Sequence, residues 1–356
     1  MIPHARIGGG LPDSARMGYG GRPMNSLSTP ASAARPVGQG PAAVFPIGFG
    51  CMGLVGWYGS RNDDEARATL LAAVDAGVNH YDTAASYQLG ENEKFVGAVL
   101  APFRQRLFIA TKCGLSRSPD GGALVDNRPE TIRLSCEASL QRLGTDYIDL
   151  FYLHRIDRTV PVEESAGALA ELVQAGKIRY GGLSECSEDT LRRACRVLPI
   201  GAVQSEYSIW SRDPEDGVLA ACEELGVTFV AYSPLGRGFL AGNFAHAGDL
   251  PQGDHRRSHP RFQEEAAAHN ARLVEAITDI AAGMGATPAQ VAIAWVLSRS
   301  PRVVTIPGMK TRQHLGDNLG AAQLRLTQAQ LQRLDDLAAQ VTGERHPPAM
   351  MKILDR

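Results

Sequence analysis

Four side chains that can carry, hold or release a proton stand near the ends of successive short apolar runs in this sequence. Asp82, Lys112 and His154 each end or directly follow such a run, and Tyr87 lies five residues after Asp82. If the runs are neighbouring parallel strands, their carboxyl ends meet at one edge, where the loops of barrel enzymes carry the chemistry. The four residues are therefore candidates for one proton-transfer site.

Lys112 is the most informative of the four residues. The chain has only five lysines, and this one ends a run that its apolar pattern predicts to be buried. A buried ammonium group needs an anionic partner, and Asp82 is the natural one. The pair would place a positive charge beside the Tyr87 phenol, which is expected to depress its pKa and make it a general acid. His154 would then hydrogen-bond a substrate oxygen and position it.

Each of these residues also has an ordinary structural interpretation. Asp82 would be a helix N-cap, and Lys112 a strand-end charge that extends to water. Tyr87 would be a surface aromatic, and His154 a hydrogen-bonded core histidine. All four structural roles would have to coincide at one edge of the sheet, so the pattern favours a site.

The elements that must position these residues follow a regular rhythm between about residues 44 and 340, in which short apolar runs alternate with segments of helical period. The predicted strands are 46–50, 78–82, 107–112, 147–153, 179–184, 201–205, 227–232 and 302–306. The predicted helices are 63–76, 91–101, 129–143, 163–175, 188–196, 215–225, 266–283, 288–299, 311–320 and 327–340. Eight units of roughly 30 residues without a break in composition indicate an α/β protein with a single (β/α)8 TIM barrel rather than two domains.

The two ends of the chain differ from this region. Residues 1–40 carry eight glycines, five prolines and a single acid, so we expect a disordered tail. Its arginines also suit an organelle transit peptide, an alternative that its glycines disfavour because they break an amphipathic helix. The barrel is expected to span residues 41–342, followed by a C-terminal tail at 343–356. A long loop at 233–265 is typical of a lid or binding loop.

Composition argues against several classes of protein. The 356 residues carry a net charge of −2, which offers no basic surface for nucleic acid or an anionic membrane. No run approaches the ~18 apolar residues that a spanning helix needs, and the N-terminus lacks an apolar leader, so we expect a cytoplasmic protein. The six scattered cysteines are expected to be free thiols. His246, His255 and His259 have no spacing that suits a metal, so no metal site is predicted.

Gly48, Gly50 and Gly53 match G-x-G-x-x-G, the dinucleotide fingerprint of a Rossmann fold. In that fold the third glycine opens a helix, whereas further glycines follow here and no helix is expected before about Asn62. We interpret the glycines as a barrel loop that passes close to a ligand.

In combination these residues resemble the aldo-keto reductase superfamily. The motifs that carry the resemblance are Asp82-Thr-Ala-Ala-Ser-Tyr87 with Gly90-Glu-Asn92, Thr111-Lys112, Leu153-His154-Arg155 and Ala231-Tyr-Ser-Pro-Leu-Gly236, and the similarity covers about residues 44 to 340. The resemblance implies NADPH-dependent reduction of a carbonyl compound on a (β/α)8 barrel. It assigns the catalytic tetrad of the family to Asp82, Tyr87, Lys112 and His154, with the tyrosine protonating the carbonyl oxygen as hydride arrives.

The resemblance also implies a set of contacts to NADPH. Ser184 and Gln204 would hold the nicotinamide carboxamide, and Tyr232 would stack on the ring. Glu185 and His314 depart from the family, since many relatives have asparagine and arginine there. Along the rest of the cofactor the expected contacts are Gly50, Met52, Ser233, Leu235, Gly236, Arg237, Lys310, Thr311, Arg312, His314 and Asn318, the last five around the 2′-phosphate and adenine. The structural alternatives are strand-end turns, barrel packing and a solvated helix start.

Aromatic side chains in the loops at this edge are candidates for the substrate pocket. They are Trp57, Tyr58, Trp210, Phe239 and Phe262, and each could instead anchor its own loop. The branch that the motifs match reduces small aldehydes or pyridoxal-like compounds, and we expect such a substrate. Two other functions stay open. One is a redox-sensing regulatory subunit on the same fold, as in the beta subunits of voltage-gated potassium channels. The other is a barrel enzyme that uses Lys112 to form a Schiff base.

Overall fold

A computed structural model describes residues 34–56, 61–118 and 122–355. Its main sheet contains eight strands: β1 Phe49–Gly50, β2 His80–Asp82, β3 Phe108–Cys113, β4 Ile148–Leu153, β5 Ile178–Ser184, β6 Ala202–Glu206, β7 Thr228–Tyr232 and β8 Val303–Thr305. All eight predicted strands are present, although β1, β2 and β8 are each at least two residues shorter than predicted. Their apolar runs are buried on both faces, as expected for parallel strands covered by helices.

Each strand pairs in parallel with its neighbours in chain order. The sheet curls until its first and last strands meet, where Ile47 and Thr305 form a parallel bridge and the N–H of Gly48 donates to the carbonyl oxygen of Thr305 at 2.7 Å. The predicted (β/α)8 barrel is thereby confirmed. The carboxyl ends of all eight strands open at one face, which we call the carboxyl face.

Helices follow the strands and cover the outside of the sheet. They are α1 Asp63–Asp75, α2 Glu91–Leu100, α3 Pro129–Leu143, α4 Val162–Gln174, α5 Glu188–Cys195, α6 Val218–Glu224, α7 Glu264–Met284, α8 Pro288–Leu297, α9 Arg312–Gly320, α10 Gln328–Ala338 and α11 Pro348–Met351. Side chains cap the N-termini of several helices. Asn62 accepts from the N–H of Glu65 at the start of α1, and Thr287 and Gln290 form a capping box at the start of α8. The short helix α11 falls in the segment that the sequence predicts as a tail.

Side chains alternate between the barrel interior and the helix layer along each strand. In β3, Phe108 and Ala110 belong to the interior cluster, whereas Ile109 packs in the cluster beneath the helices. Lys112 continues the interior-facing series by two residues, and Asp82 stands at the end of β2 beside it. The pleat of the strands therefore brings both charged groups to the mouth of the barrel at the carboxyl face.

A short hairpin packs against the opposite end of the barrel. Arg35–Pro36 pairs antiparallel with Ala43–Val44, and the Arg35 guanidinium donates to the carbonyl oxygen of Ser300 at 2.9 Å. The folded chain therefore begins before residue 40, where the sequence predicts the tail to end. The prediction misses this hairpin because a two-residue strand leaves no readable period. Residues 1–33 lie outside the described residues.

Two further features concern the whole described chain. Within the described ranges, no single helix has the length and apolar composition to cross a bilayer, and α7 and α8 pass that test only together, as a pair bent by 96°. Cysteine thiols are free at all six positions, and five of them are buried.

Candidate active site

Lys112 lies at the centre of the carboxyl face and is only 1% exposed. Its Nζ binds Oδ1 of Asp82. It also donates to the carbonyl oxygen of Thr83 at 2.8 Å and lies 3.4 Å from Oη of Tyr87. Three oxygens therefore take the three N–H bonds of the ammonium group, and the ion pair expected from the sequence is formed.

Tyr87 reaches Lys112 because the backbone that follows it makes an unusual turn. Gln88 (φ 49°) and Leu89 (φ 53°) both adopt the left-handed region, and Gly90 (φ 91°) follows. Such conformations cost non-glycine residues about 1–3 kcal/mol each, and they occur most often at functional sites. Leu89 is 85% exposed, so its apolar side chain does not explain the turn. The strain instead accompanies the inward placement of the Tyr87 phenol.

His154 completes this group on the other side of Tyr87. The two rings meet edge-on with centroids 5.9 Å apart, and Nδ1 of His154 lies 3.3 Å from Oγ of Ser86. Burial, together with the charges of Arg155 and Lys112, lowers the pKa of His154 well below its usual range. The imidazole is therefore neutral at pH 7 and has one N–H to donate.

The pKa of Tyr87 moves in the direction opposite to the expectation from sequence. Burial raises it, and although the charge of Lys112 lowers it, the net direction is upward. The expected depression is therefore wrong, because desolvation of the phenolate outweighs a cation that is already paired with Asp82. Burial also lowers the pKa of Lys112, but Asp82 and Tyr87 raise it more, so the amine stays charged.

Ser184 and Gln204 lie beside the tetrad, on β5 and β6. They are 1% and 2% exposed, and Nε2 of Gln204 donates to Oδ2 of Asp82 at 2.8 Å. Oγ of Ser184 accepts from Nη1 of Arg155 at 3.5 Å. Tyr232 ends β7 next to them, and its hydroxyl has no hydrogen-bond partner within the described residues. A hydroxyl, an amide and an aromatic ring thus stand together, as a site for a planar ring with a carboxamide requires.

The carboxylate of Glu185 is held by hydrogen bonds from other residues of the protein. Its backbone is left-handed (φ 55°), and Nη1 and Nη2 of Arg345 donate to its two carboxylate oxygens at 3.0 and 2.7 Å. Oε1 also accepts from the N–H of Glu206 at 2.9 Å. Arg345 was not predictable from the sequence, because it falls in the expected C-terminal tail, where no period or motif marks a buried arginine.

The loop after β7 folds back through several left-handed residues: Ser233 (φ 51°), Gly236 (φ 54°) and Arg237 (φ 57°). The Arg237 guanidinium donates to the carboxylate of Glu206 at 3.0 and 2.6 Å, and both side chains are buried. Arg237, which the sequence suggests as a clamp on the pyrophosphate, is thus held in an internal ion pair. Ser233, Leu235 and Gly236 form the turn itself, which opens at the carboxyl face.

The start of α9 combines a capped helix N-terminus with a basic side chain. Oγ1 of Thr311 accepts from the N–H of His314 at 3.2 Å, and the mostly exposed Arg312 pairs with Glu65 at 3.0 Å. Asn318 is 2% exposed, and its Nδ2 has no hydrogen-bond partner among the residues that the structure describes. A buried amide of this kind suits a site that a ligand completes.

The first loop packs against this basic region. A Cβ at Gly50 would lie 2.5 Å from a backbone carbonyl oxygen after β8, so only glycine allows this approach. A 3-10 turn follows at Cys51–Val55 and carries the half-buried Met52, whereas the sequence predicts no helix so early. A Cβ at Gly53 would lie 3.4 Å from Cγ of Lys310. The glycines therefore belong to a loop, and no α-helix opens at the third of them.

Of the aromatic residues predicted for the substrate pocket, Trp57 and Tyr58 lie outside the described residues. The other three form one cluster, in which Trp210 stacks on Phe239 with centroids 4.8 Å apart and Phe262 lies 5.9 Å from each of them. All three are at most 3% exposed. In this structure they pack the loop after β6 against the long loop after β7. This arrangement matches the alternative in which the aromatic residues anchor loops instead of lining a substrate pocket.

The fold and the site together define a class of protein. It is a (β/α)8 barrel whose carboxyl face carries a buried Asp–Lys pair, a tyrosine on that lysine and a neutral histidine. The model of the Aldo/keto reductase family matches residues 46–339. The chain belongs to the aldo/keto reductase family, and it is an oxidoreductase. The expectation of family and enzyme class is thereby confirmed.

Individual relatives agree with this assignment. The aldo-keto reductase yakc [NADP(+)] of Schizosaccharomyces pombe is 43% identical over 310 residues, which cover 85% of this chain and 91% of that protein. The probable aldo-keto reductase 1 of Glycine max is 41% identical over 293 residues, covering 82% and 84%. Among solved structures, the glycerol dehydrogenase AKR11B4 from Gluconobacter oxydans superposes with a TM-score of 0.78 at 28% identity, covering 89% of this chain and 98% of that one.

Proposed function

We propose that this protein reduces an aldehyde or ketone to an alcohol with NADPH, and that Tyr87 donates the proton. The observation that carries the proposal is the contact of Lys112 with both Asp82 and Tyr87 in a buried setting. A phenol is a weak acid in water, and a fixed cation 3.4 Å from its oxygen stabilises the phenolate that remains when the proton leaves.

Each residue of the tetrad has a separate task in this reaction. NADPH, when bound, supplies a hydride to the carbonyl carbon. The O–H bond of Tyr87 breaks as its proton passes to the carbonyl oxygen, and the charge left on the phenolate faces Lys112. Asp82 keeps Lys112 charged, because it raises the pKa of the amine. His154 is neutral and donates an N–H to the same oxygen, which orients the carbonyl for proton transfer.

NADPH is the cofactor that the polar groups of this face suit. Ser184, Gln204 and Tyr232 would hold the nicotinamide. The turn after β7 would hold the pyrophosphate, and the capped start of α9, with Lys310 and Arg312 nearby, the 2′-phosphate. The unpartnered amide of Asn318 offers a donor to an adenine nitrogen.

A small aldehyde, such as a pyridoxal-like compound, is the proposed substrate. The same geometry disfavours a Schiff base on Lys112, because the raised pKa keeps the amine protonated and a protonated amine is no nucleophile. The related Gluconobacter enzyme is a glycerol dehydrogenase, so small polyols are included as substrates for the reverse direction.

Replacement of Tyr87 tests the proposal. In Y87F the NADPH dissociation constant, measured by fluorescence titration, should be unchanged, while aldehyde reduction at 340 nm falls by at least ~10²-fold. Y81F is the control for loss of a phenolic hydroxyl away from Lys112, because Tyr81 is fully buried and its hydroxyl has no hydrogen-bond partner among the described residues. Near-normal turnover by Y87F would exclude Tyr87 as the donor. Tight NADPH binding by the wild type without turnover of any aldehyde would favour the regulatory subunit instead.

A further inference from the structure

The C-terminal strap, residues 340–355, crosses the carboxyl face of the barrel. Near its start, Asn270 exchanges two hydrogen bonds with the backbone of Thr342, at 3.0 and 3.1 Å. At its end, the N–H of Asp355 donates to the carbonyl oxygen of Glu185 at 3.2 Å. The strap, which includes residues 343–355 of the predicted tail, is thus bound to the barrel at both ends.

Two neighbouring side chains of the strap face two glutamates at the ends of strands. Arg345 forms the bidentate pair with Glu185, and these residues are 5% and 4% exposed. Nε2 of His346 lies 3.3 Å from Oε2 of Glu206, the carboxylate that also binds Arg237. The strap therefore supplies one of the buried cations that balance the buried carboxylates of this face.

Glu185 connects the two strands that carry Ser184 and Gln204. Its N–H donates to the carbonyl oxygen of Gln204 at 2.9 Å, and its Oε1 accepts from the N–H of Glu206 at 2.9 Å. Ser184 precedes it directly. Burial raises the pKa of Glu185, but Arg345 outweighs this and lowers it to about 2, so the carboxylate is charged at pH 7. A charge buried so deeply holds its position only while it is paired.

We propose that Arg345 is a positioning residue for the nicotinamide end of the cofactor and that it acts through Glu185. With two N–H bonds it neutralises the carboxylate and fixes its orientation, and Glu185 in turn fixes the spacing of Ser184 and Gln204. The inference rests on the proposed function, which assigns those two residues to the carboxamide. The strap is then part of the cofactor site, although it follows the last helix of the barrel, α10.

NADPH dissociation constants of a set of variants test this role. In R345M the buried charge of Glu185 loses its partner, and the dissociation constant should rise by about tenfold or more. In the double variant E185Q/R345M the buried charge of Glu185 is removed as well, and the amide oxygen introduced by E185Q can still accept from the N–H of Glu206. Arg345 also pairs with Asp213 at 2.7 Å, but that carboxylate is half-exposed and water can solvate it once the arginine is gone. Binding should then recover to within about threefold of the wild type.

Two further variants separate positioning from stability. R158M removes a hydrogen bond from Arg158 to the carbonyl oxygen of Leu354 and a 3.9 Å ion pair with Asp355, at the far end of the strap, but leaves both hydrogen bonds from Arg345 to the carboxylate of Glu185 in place. It should leave the dissociation constant unchanged. R345K keeps the charge but not the two-pronged contact, so it should bind NADPH with an intermediate constant even if R345M does not fold.

The outcomes separate failure of the proposed function from failure of the role assigned to Arg345. Wild-type protein that binds no NADPH overturns the proposed function, and this inference with it. If the wild type binds but R345M binds equally well, the inference alone is wrong. It is also wrong if R345M and E185Q/R345M are impaired to the same degree, or if the dissociation constants of all variants simply follow their melting temperatures. Recovery in E185Q/R345M with R158M unchanged supports it.

Discussion

Gln204 donates a hydrogen bond of 2.8 Å to Oδ2 of Asp82, across 122 residues of sequence. The other oxygen of that carboxylate binds Lys112. One aspartate therefore links an amide proposed to hold the cofactor with the cation beside Tyr87. A change at Asp82 should affect both cofactor binding and proton donation.

We expect D82N to lower kcat by at least ~10²-fold and to weaken NADPH binding, because Lys112 loses its charge partner and the single amide oxygen of an asparagine replaces the two carboxylate oxygens that accept from Lys112 and Gln204. Breaking a buried ion pair also costs about 3–5 kcal/mol of unfolding free energy. Steady-state assays, fluorescence titration and urea unfolding measure the three effects. D279N is the control, since the pair of Asp279 with Arg333 is exposed and should matter little. A folded D82N enzyme with normal kcat contradicts this expectation.

The rate of carbonyl reduction should be independent of pH over a wide range. The active tyrosine is protonated. Because its pKa is raised above the ordinary value of 10, activity is lost only as the pH rises through this raised pKa. The active histidine is neutral, and because its pKa is well below 6.5, activity is lost only as the pH falls through that lower value. The profile of kcat/KM is therefore expected to be flat from about pH 6.5 to 10. A break near pH 7 that disappears in H154N would show that the imidazole titrates there.

Arg312 should discriminate between NADPH and NADH. R312A is expected to raise the NADPH dissociation constant by about tenfold and to leave that of NADH unchanged, because only NADPH carries the 2′-phosphate. E65Q should act in the opposite direction, since Glu65 now competes for the guanidinium at 3.0 Å. R333A, on α10, is the control for a general loss of positive charge. Equal weakening of both cofactors in R312A would assign the 2′-phosphate to other residues.

Much of this architecture was predictable because it depends on local patterns. Eight apolar runs and the helical segments between them specify a barrel, and a lysine at the end of a buried strand demands an anion such as Asp82. The partner of Glu185 was not predictable, since Arg345 lies 160 residues away in a segment without period. The sign of the Tyr87 pKa shift also depends on burial depth, which the spacing of residues does not give.

The separation of Glu185 and Arg345 has a consequence for synthesis on the ribosome. At about 5–20 residues per second, the ribosome needs on the order of 10–30 s to travel from the first residue to the second. The time between synthesis of Arg35, in the hairpin, and of its partner Ser300 is longer still, because the two residues are 265 positions apart. Strands in the middle of the barrel can pair during that interval, while both edges of the sheet stay open. The nascent chain therefore carries an unneutralised glutamate at an unfinished site until Arg345 emerges from the ribosome.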